Sequence, residues 1–284
     1  MSEITESGLK ALVSLLLDDD PKTVAVARRK LIEHAGAARP ILADSVRSDD
    51  PRLRARARPV LEEIRVRELE DKLREWSESA PEGGDLETGA YLVASYATPD
   101  LDPSACARAV DAMALEVGAR LGDERRASKV VETLSAVLFG EFEFRGNRES
   151  YYDPDNSYID KVIARRTGIP ISLSALVLFV SKRLDLPIHG VTMPCHFIVR
   201  YESPEARVYF DPFNGGKTLA REECLGILKE LGVEPNESLL AAATPRYVLR
   251  RMVSNLKQIY EDMKDEVRQR HFARFLEILN AGGA

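Results

Sequence analysis

The sequence predicts an α+β protein dominated by helices: helical repeats at the N-terminus, a mixed core holding a small antiparallel sheet, and a closing helical hairpin. Three observations carry that reading. DPKTVAVARRKL at Asp20–Leu31 returns as DPRLRARARPVL at Asp50–Leu61, 30 residues further on. HFIVRY at His196–Tyr201 and ARVYF at Ala206–Phe210 flank a short ESPE turn, the pattern of an antiparallel strand pair. Val248, Leu249, Met252, Val253, Leu256, Ile259, Tyr260 and Met263 recur at helical spacing, and Phe272, Phe275, Leu276 and Leu279 continue it after a break.

In each copy of the repeat, Asp can cap a helix and Pro can occupy its first turn, where a missing amide hydrogen costs nothing. Residues 1–80 therefore read as a HEAT-like helical region, with a period shorter than the usual roughly 40 residues. Two ordinary helical hairpins of coincidental similarity are the alternative. A charged helix is expected over Val66–Trp76, and SESAPEGGD at Ser77–Asp85, rich in Ser, Gly and Pro, reads as a linker. The core then spans 85–240. Its amphipathic stretches Leu86–Tyr96, Pro103–Leu121 and Arg125–Leu138 predict helices. A polar, aromatic loop follows from Glu141 and leads to a helix at Ile159–Arg166. The apolar run after Gly168 and Pro170 is too long for a typical strand and predicts a buried helix with a serine cap. The two strands come next, then an acidic helix near Glu222–Leu231. The closing hairpin occupies 241–284.

Composition narrows the function. Apolar residues make up 44% and charged residues 30%, with a net charge of −6, so the chain lacks the basic excess that nucleic acid or anionic lipid requires. Its longest apolar runs fall short of the roughly 20 residues that cross a bilayer. The acidic N-terminus has neither a basic segment nor a small-residue cleavage site. Cys106, Cys195 and Cys224 are too scattered for a disulfide framework or a metal-spaced pair. A reducing cytoplasm is expected, with no cofactor and no metal.

The chemistry centres on His196 and Asp211. A papain-like or transglutaminase-like site needs a nucleophile where a buried helix begins, because the helix dipole lowers its pKa, and a His with an orienting Asp on adjoining strands. The order here is buried helix, strand from His196, strand ending near Asp211, and the short turn sets the last two side by side. A plain structural pair that pins two strands is the other reading.

NSY (Asn156–Tyr158), RRTGIPISLS (Arg165–Ser174), PCHF (Pro194–Phe197), DPFNGG (Asp211–Gly216) and RMVSNLK (Arg251–Lys257) occur in order. Together they resemble the SirB family of bacterial transglutaminase-like proteins, over roughly residues 85–280. The resemblance implies a transglutaminase/papain-like core followed by a helical pair similar to a tetratricopeptide repeat. It also implies a cysteine shortly after a glycine at the helix start. This chain reads Gly168-Ile169-Pro170-Ile171-Ser172, so Pro170 stands where the nucleophile belongs and Ser172 is the nearest hydroxyl. Ser172 can be an alternative nucleophile or a cap. Cys195 stands where the family usually has Gly. On a regular strand its thiol would point away from His196.

Around this pair, Asn147, Tyr151 and Asn156 are expected to bind a ligand or partner, or else to satisfy a plain loop through Asx turns. Arg200, four residues along the strand from His196, is expected to line the same pocket and suit an anionic group, unless it is simply an exposed strand arginine. Two functions follow. One is a transglutaminase-like protein-interaction module without its catalytic cysteine, acting on a protein partner. The other is a hydrolase or acyltransferase on amide bonds that uses His196 and Asp211 with Ser172 or Cys195.

Overall fold

Thr5 caps the first helix, α1 (Glu6–Leu15), by accepting the Gly8 amide hydrogen at 3.2 Å. Asp20 does the same for α2 (Pro21–Glu33), accepting from Lys22 and Thr23, and Asp50 accepts from Arg52 at 2.8 Å in the first turn of α4 (Pro51–Glu78). Between them lies α3 (Ala35–Ser45). The repeat extends into the packing. Ala27 and Leu31 of the first copy, and Ala57 and Leu61 of the second, are all buried in one apolar cluster with Leu9, Leu42 and Ile64. The computed structural model describes residues 4–80, 82–194, 196–230, 232–234 and 236–281.

The charged helix expected at Val66–Trp76 is not a separate element. It is the continuation of α4, which runs through Pro59 to Glu78. The chain divides into two compact units, Met1–Asp71 and Lys72–Ala284, and α4 passes through the division. The passage that composition marks as a linker is held fast within the second unit. The Trp76 indole N–H donates to the Asp85 carbonyl at 2.7 Å, the Gly84 amide donates to the Trp76 carbonyl, and the Arg246 guanidinium donates to both the carbonyl and the hydroxyl of Ser77 at 2.5 Å.

In the second unit, α5 (Leu86–Ala97) and α6 (Pro103–Leu121) are followed by α7 (Ala127–Ser135), whose last turn widens into a π-helical segment, Ala136–Glu141. A two-residue strand β1 (Arg145–Gly146) pairs in parallel with β2 (Thr167–Gly168), on either side of α8 (Ile159–Arg165). Next comes α9 (Pro170–Arg183). Apolar nearly all round, it is buried from Pro170 to Val177, as expected of a helix enclosed on every side. It packs against α5, α6, α8 and α11 (Pro245–Asp262).

The sheet has four antiparallel strands in sequential order: β3 (Ile188–Val191), β4 (Ile198–Glu202), β5 (Arg207–Asp211) and β6 (Lys217–Leu219). Sequence patterning found only the middle two, because IHGV and KTL are too short and too polar to show alternation. One face of the sheet, through Ile198 and Tyr209, closes over Cys224 and Leu228 of α10 (Arg221–Glu230). The other face meets α7 and α9. The chain finishes with α11 and α12 (Glu266–Ala281), joined by a short turn and by the Tyr260–Phe272 ring contact at 5.4 Å.

Candidate functional site

The DPFNGG block forms a tight turn around the Asp211 carboxylate. One oxygen accepts the amide hydrogens of Phe213 and Asn214, at 3.0 and 3.3 Å. The other accepts from Asn214 Nδ2 at 2.6 Å and lies 2.8 Å from Nε2 of His196. Gly216, at φ +77°, returns its amide to the Asp211 carbonyl at 2.8 Å, and a β-carbon there would stand 2.0 Å from Ser135 Oγ. Only glycine meets both demands.

His196 lies in the connection between β3 and β4, two residues before β4 begins. Its side chain is 20% exposed and that of Asp211 only 4%. Burial raises the Asp211 carboxyl, but the hydrogen bond and charge of His196, with the Asn214 contacts, outweigh it and hold the group below the ordinary carboxylate value. In the neutral ring, an ionised Asp211 selects the tautomer with the proton on Nε2, which leaves Nδ1 as the nitrogen with the lone pair. Nδ1 makes no hydrogen bond among the described residues. An imidazole so oriented is equipped to take a proton from an incoming group.

The start of α9 holds no comparable partner. Pro170 is its first residue, and Ser172, at the third helical position, caps the helix start from inside the first turn, as the N3 residue of a capping box does. The fully buried Ser172 hydroxyl accepts the Ile169 amide hydrogen at 3.1 Å and donates to the Asn156 carbonyl at 2.6 Å. It shares no hydrogen bond with His196. Ser174 lies 3.3 Å from the Phe197 carbonyl, tying α9 to the chain just before β4. Cys195 lies outside the described residues. Cys106 and Cys224 are buried, and burial raises both thiols, Cys224 to about 11.

Asn156 is completely buried and bonds to the carbonyls of Ser150 and Tyr151 and to the Asn147 side chain, while Asn147 accepts from the Ser150 amide. Both asparagines therefore order the loop. Tyr151 remains at the surface, half-buried, with its ring 6.0 Å from Phe213. Arg200 is neither an exposed strand residue nor a neighbour of His196 along a common strand. His196 precedes the strand, and the buried Arg200 guanidinium donates to the Leu240 carbonyl and the Glu202 carboxylate.

Sequence reasoning passed over three residues on the Asp211 turn and on the segment that precedes His196. Phe213 is seated by Gly146, where a β-carbon would stand 2.6 Å from its ring. Arg148 stacks on that ring at 5.1 Å and donates to Asn214 Oδ1. Arg251 donates to the Met193 carbonyl at 3.3 Å. Phe213 and Arg251 stand inside the quoted blocks DPFNGG and RMVSNLK, which were the available signal.

Residues 104–254 match the transglutaminase-like superfamily. The UPF0162 protein of Xylella fastidiosa (strain 9a5c) is 34% identical over 181 residues, 62% of this chain and 64% of its own length. F-box only protein 21 of Mus musculus is 36% identical over 137 residues, which cover 45% of this chain and 21% of that protein. The UPF0162 protein YchA of Escherichia coli (strain K12) is 33% identical over 132 residues, 45% of this chain and 48% of its own. This chain thus spans less than two thirds of these relatives. No solved structure matches it. With the match covering more than half of its length, the chain belongs to the transglutaminase-like superfamily.

Proposed function

We propose that this chain is a SirB-type transglutaminase-like domain that has lost its catalytic nucleophile and serves as a protein-interaction module in a reducing cytoplasm. The observation that carries the reading is the start of α9: Pro170 stands where the family resemblance calls for cysteine, and the Ser172 hydroxyl is bound to Ile169 and Asn156 inside the core. HEAT-like helices at the N-terminus and a tetratricopeptide-like pair in α11 and α12 would add binding surface. The similar stretch in F-box only protein 21 is 21% of a longer chain, which supports the idea of a domain carried as a module.

One observation favours a second reading. The His196–Asp211 pair keeps the geometry of a general base and its orienter, as a hydrolase or acyltransferase with Cys195 or Ser172 as nucleophile would need. Labelling the full chain with a fluorophosphonate and with iodoacetamide, beside His196→Ala, separates the two. The module reading expects no adduct that depends on His196. An adduct on Ser172 or Cys195 that disappears in His196→Ala overturns it.

A further inference from the structure

Two side chains meet on one oxygen of Asp211. Its Oδ2 lies 2.8 Å from Nε2 of His196 and accepts from Asn214 Nδ2 at 2.6 Å, while the backbone amides of Phe213 and Asn214 occupy Oδ1. The imidazole and the amide therefore share the lone pairs of a single atom. A buried, ionised carboxylate with no other donor on that oxygen favours the imidazolium form of a ring beside it, and an imidazolium cannot accept a proton. Asn214 works against that outcome.

Arg148 decides which end of the Asn214 amide faces the carboxylate. A guanidinium has donors and no acceptor, and this one bonds to Asn214 Oδ1, which leaves Nδ2 turned to Asp211. A flipped amide would set Oδ1 against the carboxylate and Nδ2 against the guanidinium, two repulsive contacts at once. Arg148 is itself held over the Phe213 ring at 5.1 Å, and that ring is seated by Gly146. A cation bonded to the far end of the amide also makes Nδ2 the stronger donor.

The neighbouring elements bring three other titratable or charged groups to this region. Lys217 of β6 is exposed and stands opposite Asp211 in the strand register, Cys224 of α10 is buried, and Arg251 of α11 bonds to the Met193 carbonyl. Among the described residues none of them shares a hydrogen bond with His196 or with the Asp211 carboxylate.

We infer that Asn214, oriented by Arg148, is a positioning residue that keeps the His196 ring neutral and reactive by drawing part of the Asp211 charge away from it. The inference goes beyond the module reading and depends on neither account of the nucleophile, because it concerns the ring alone.

Diethyl pyrocarbonate tests it on the full chain, since the neutral imidazole is the form that reacts and peptide mapping reads each histidine separately. The exposed His189 is the internal reference. Relative to His189, Asn214→Ala is expected to slow modification of His196 by about three- to tenfold at about pH 7 and far less at about pH 9, where protons are scarce. Arg148→Ala is expected to act in the same direction at high salt, which screens its direct charge, and to add nothing to Asn214→Ala. Arg148→Lys, which can still donate to Oδ1, restores part of the rate. An unchanged or faster His196 rate in Asn214→Ala at about pH 7 overturns the inference, and so does equal slowing at both pH values, which marks lost access instead of added charge. An Arg148→Ala effect as large in the Asn214→Ala chain as in the parent overturns the role of Arg148. A His196-dependent adduct on Ser172 or Cys195 ends the module reading and leaves this result standing, whereas an unmoved His196 rate does the reverse.

Discussion

The hydroxyl of Ser172 lies 2.6 Å from the carbonyl oxygen of Asn156, 16 residues earlier in the chain. Together with the Ile169 amide, this contact joins the start of α9 to the loop that precedes α8. The same serine that reads as a spare nucleophile in the sequence thus acts as a fastener between two segments that no local pattern relates.

Ser172→Ala strips a buried carbonyl and a buried amide of their shared partner. Such a loss costs about 1–3 kcal/mol. Urea unfolding should show a midpoint shift of that size with an unchanged slope, and His196-dependent labelling should not change. A Ser172→Ala variant as stable as the parent would show that water fills the place of the hydroxyl.

The Asp211 carboxyl is held below its ordinary value of 3.8 by His196 and Asn214. A depressed folded-state pKa stabilises the fold above the unfolded value, and that contribution fades as the pH falls through the lower folded value. Chemical denaturation from pH 6 down to about 2 is expected to show an acid-side loss of stability that Asp211→Asn reduces. An identical acid limb in parent and variant would remove Asp211 from the account.

Trp76 is the only tryptophan in the chain, so its fluorescence reports on the passage folded around it. A β-carbon at Gly89 would meet the indole at 2.8 Å and Leu249 at 2.9 Å. Gly89→Ala is therefore expected to destabilise by about 1–3 kcal/mol through overpacking. Arg246→Ala should shift the emission to the red, because the Ser77 carbonyl and hydroxyl lose their donor. An unshifted spectrum would mean that Ser77–Asp85 keeps its place without that arginine.

Burial raises the thiols of Cys106 and Cys224. A thiol reagent at pH 8 should leave both unmodified in the folded chain and react with both in denaturant, as peptide mapping would reveal. Rapid modification of Cys224 in the folded chain would contradict the closure of α10 over the sheet.

Much of this protein is written in local patterns. Asp-Pro starts, helical spacing and the Pro103–Leu121 stretch mark helices that the structure contains, because capping and amphipathic burial depend on neighbours a few residues apart. The blocks around His196 and Asp211 were also legible, because a hairpin of short turn brings its ends together. The tertiary structure alone decided the rest. It put Arg200 against the Leu240 carbonyl, locked Ser172 to Asn156, and brought Arg251 of α11 beside the segment before His196. Each of these depends on which buried polar group finds a partner far along the chain. That choice follows from how α9, α11 and the sheet close over one another, and no window of sequence contains it.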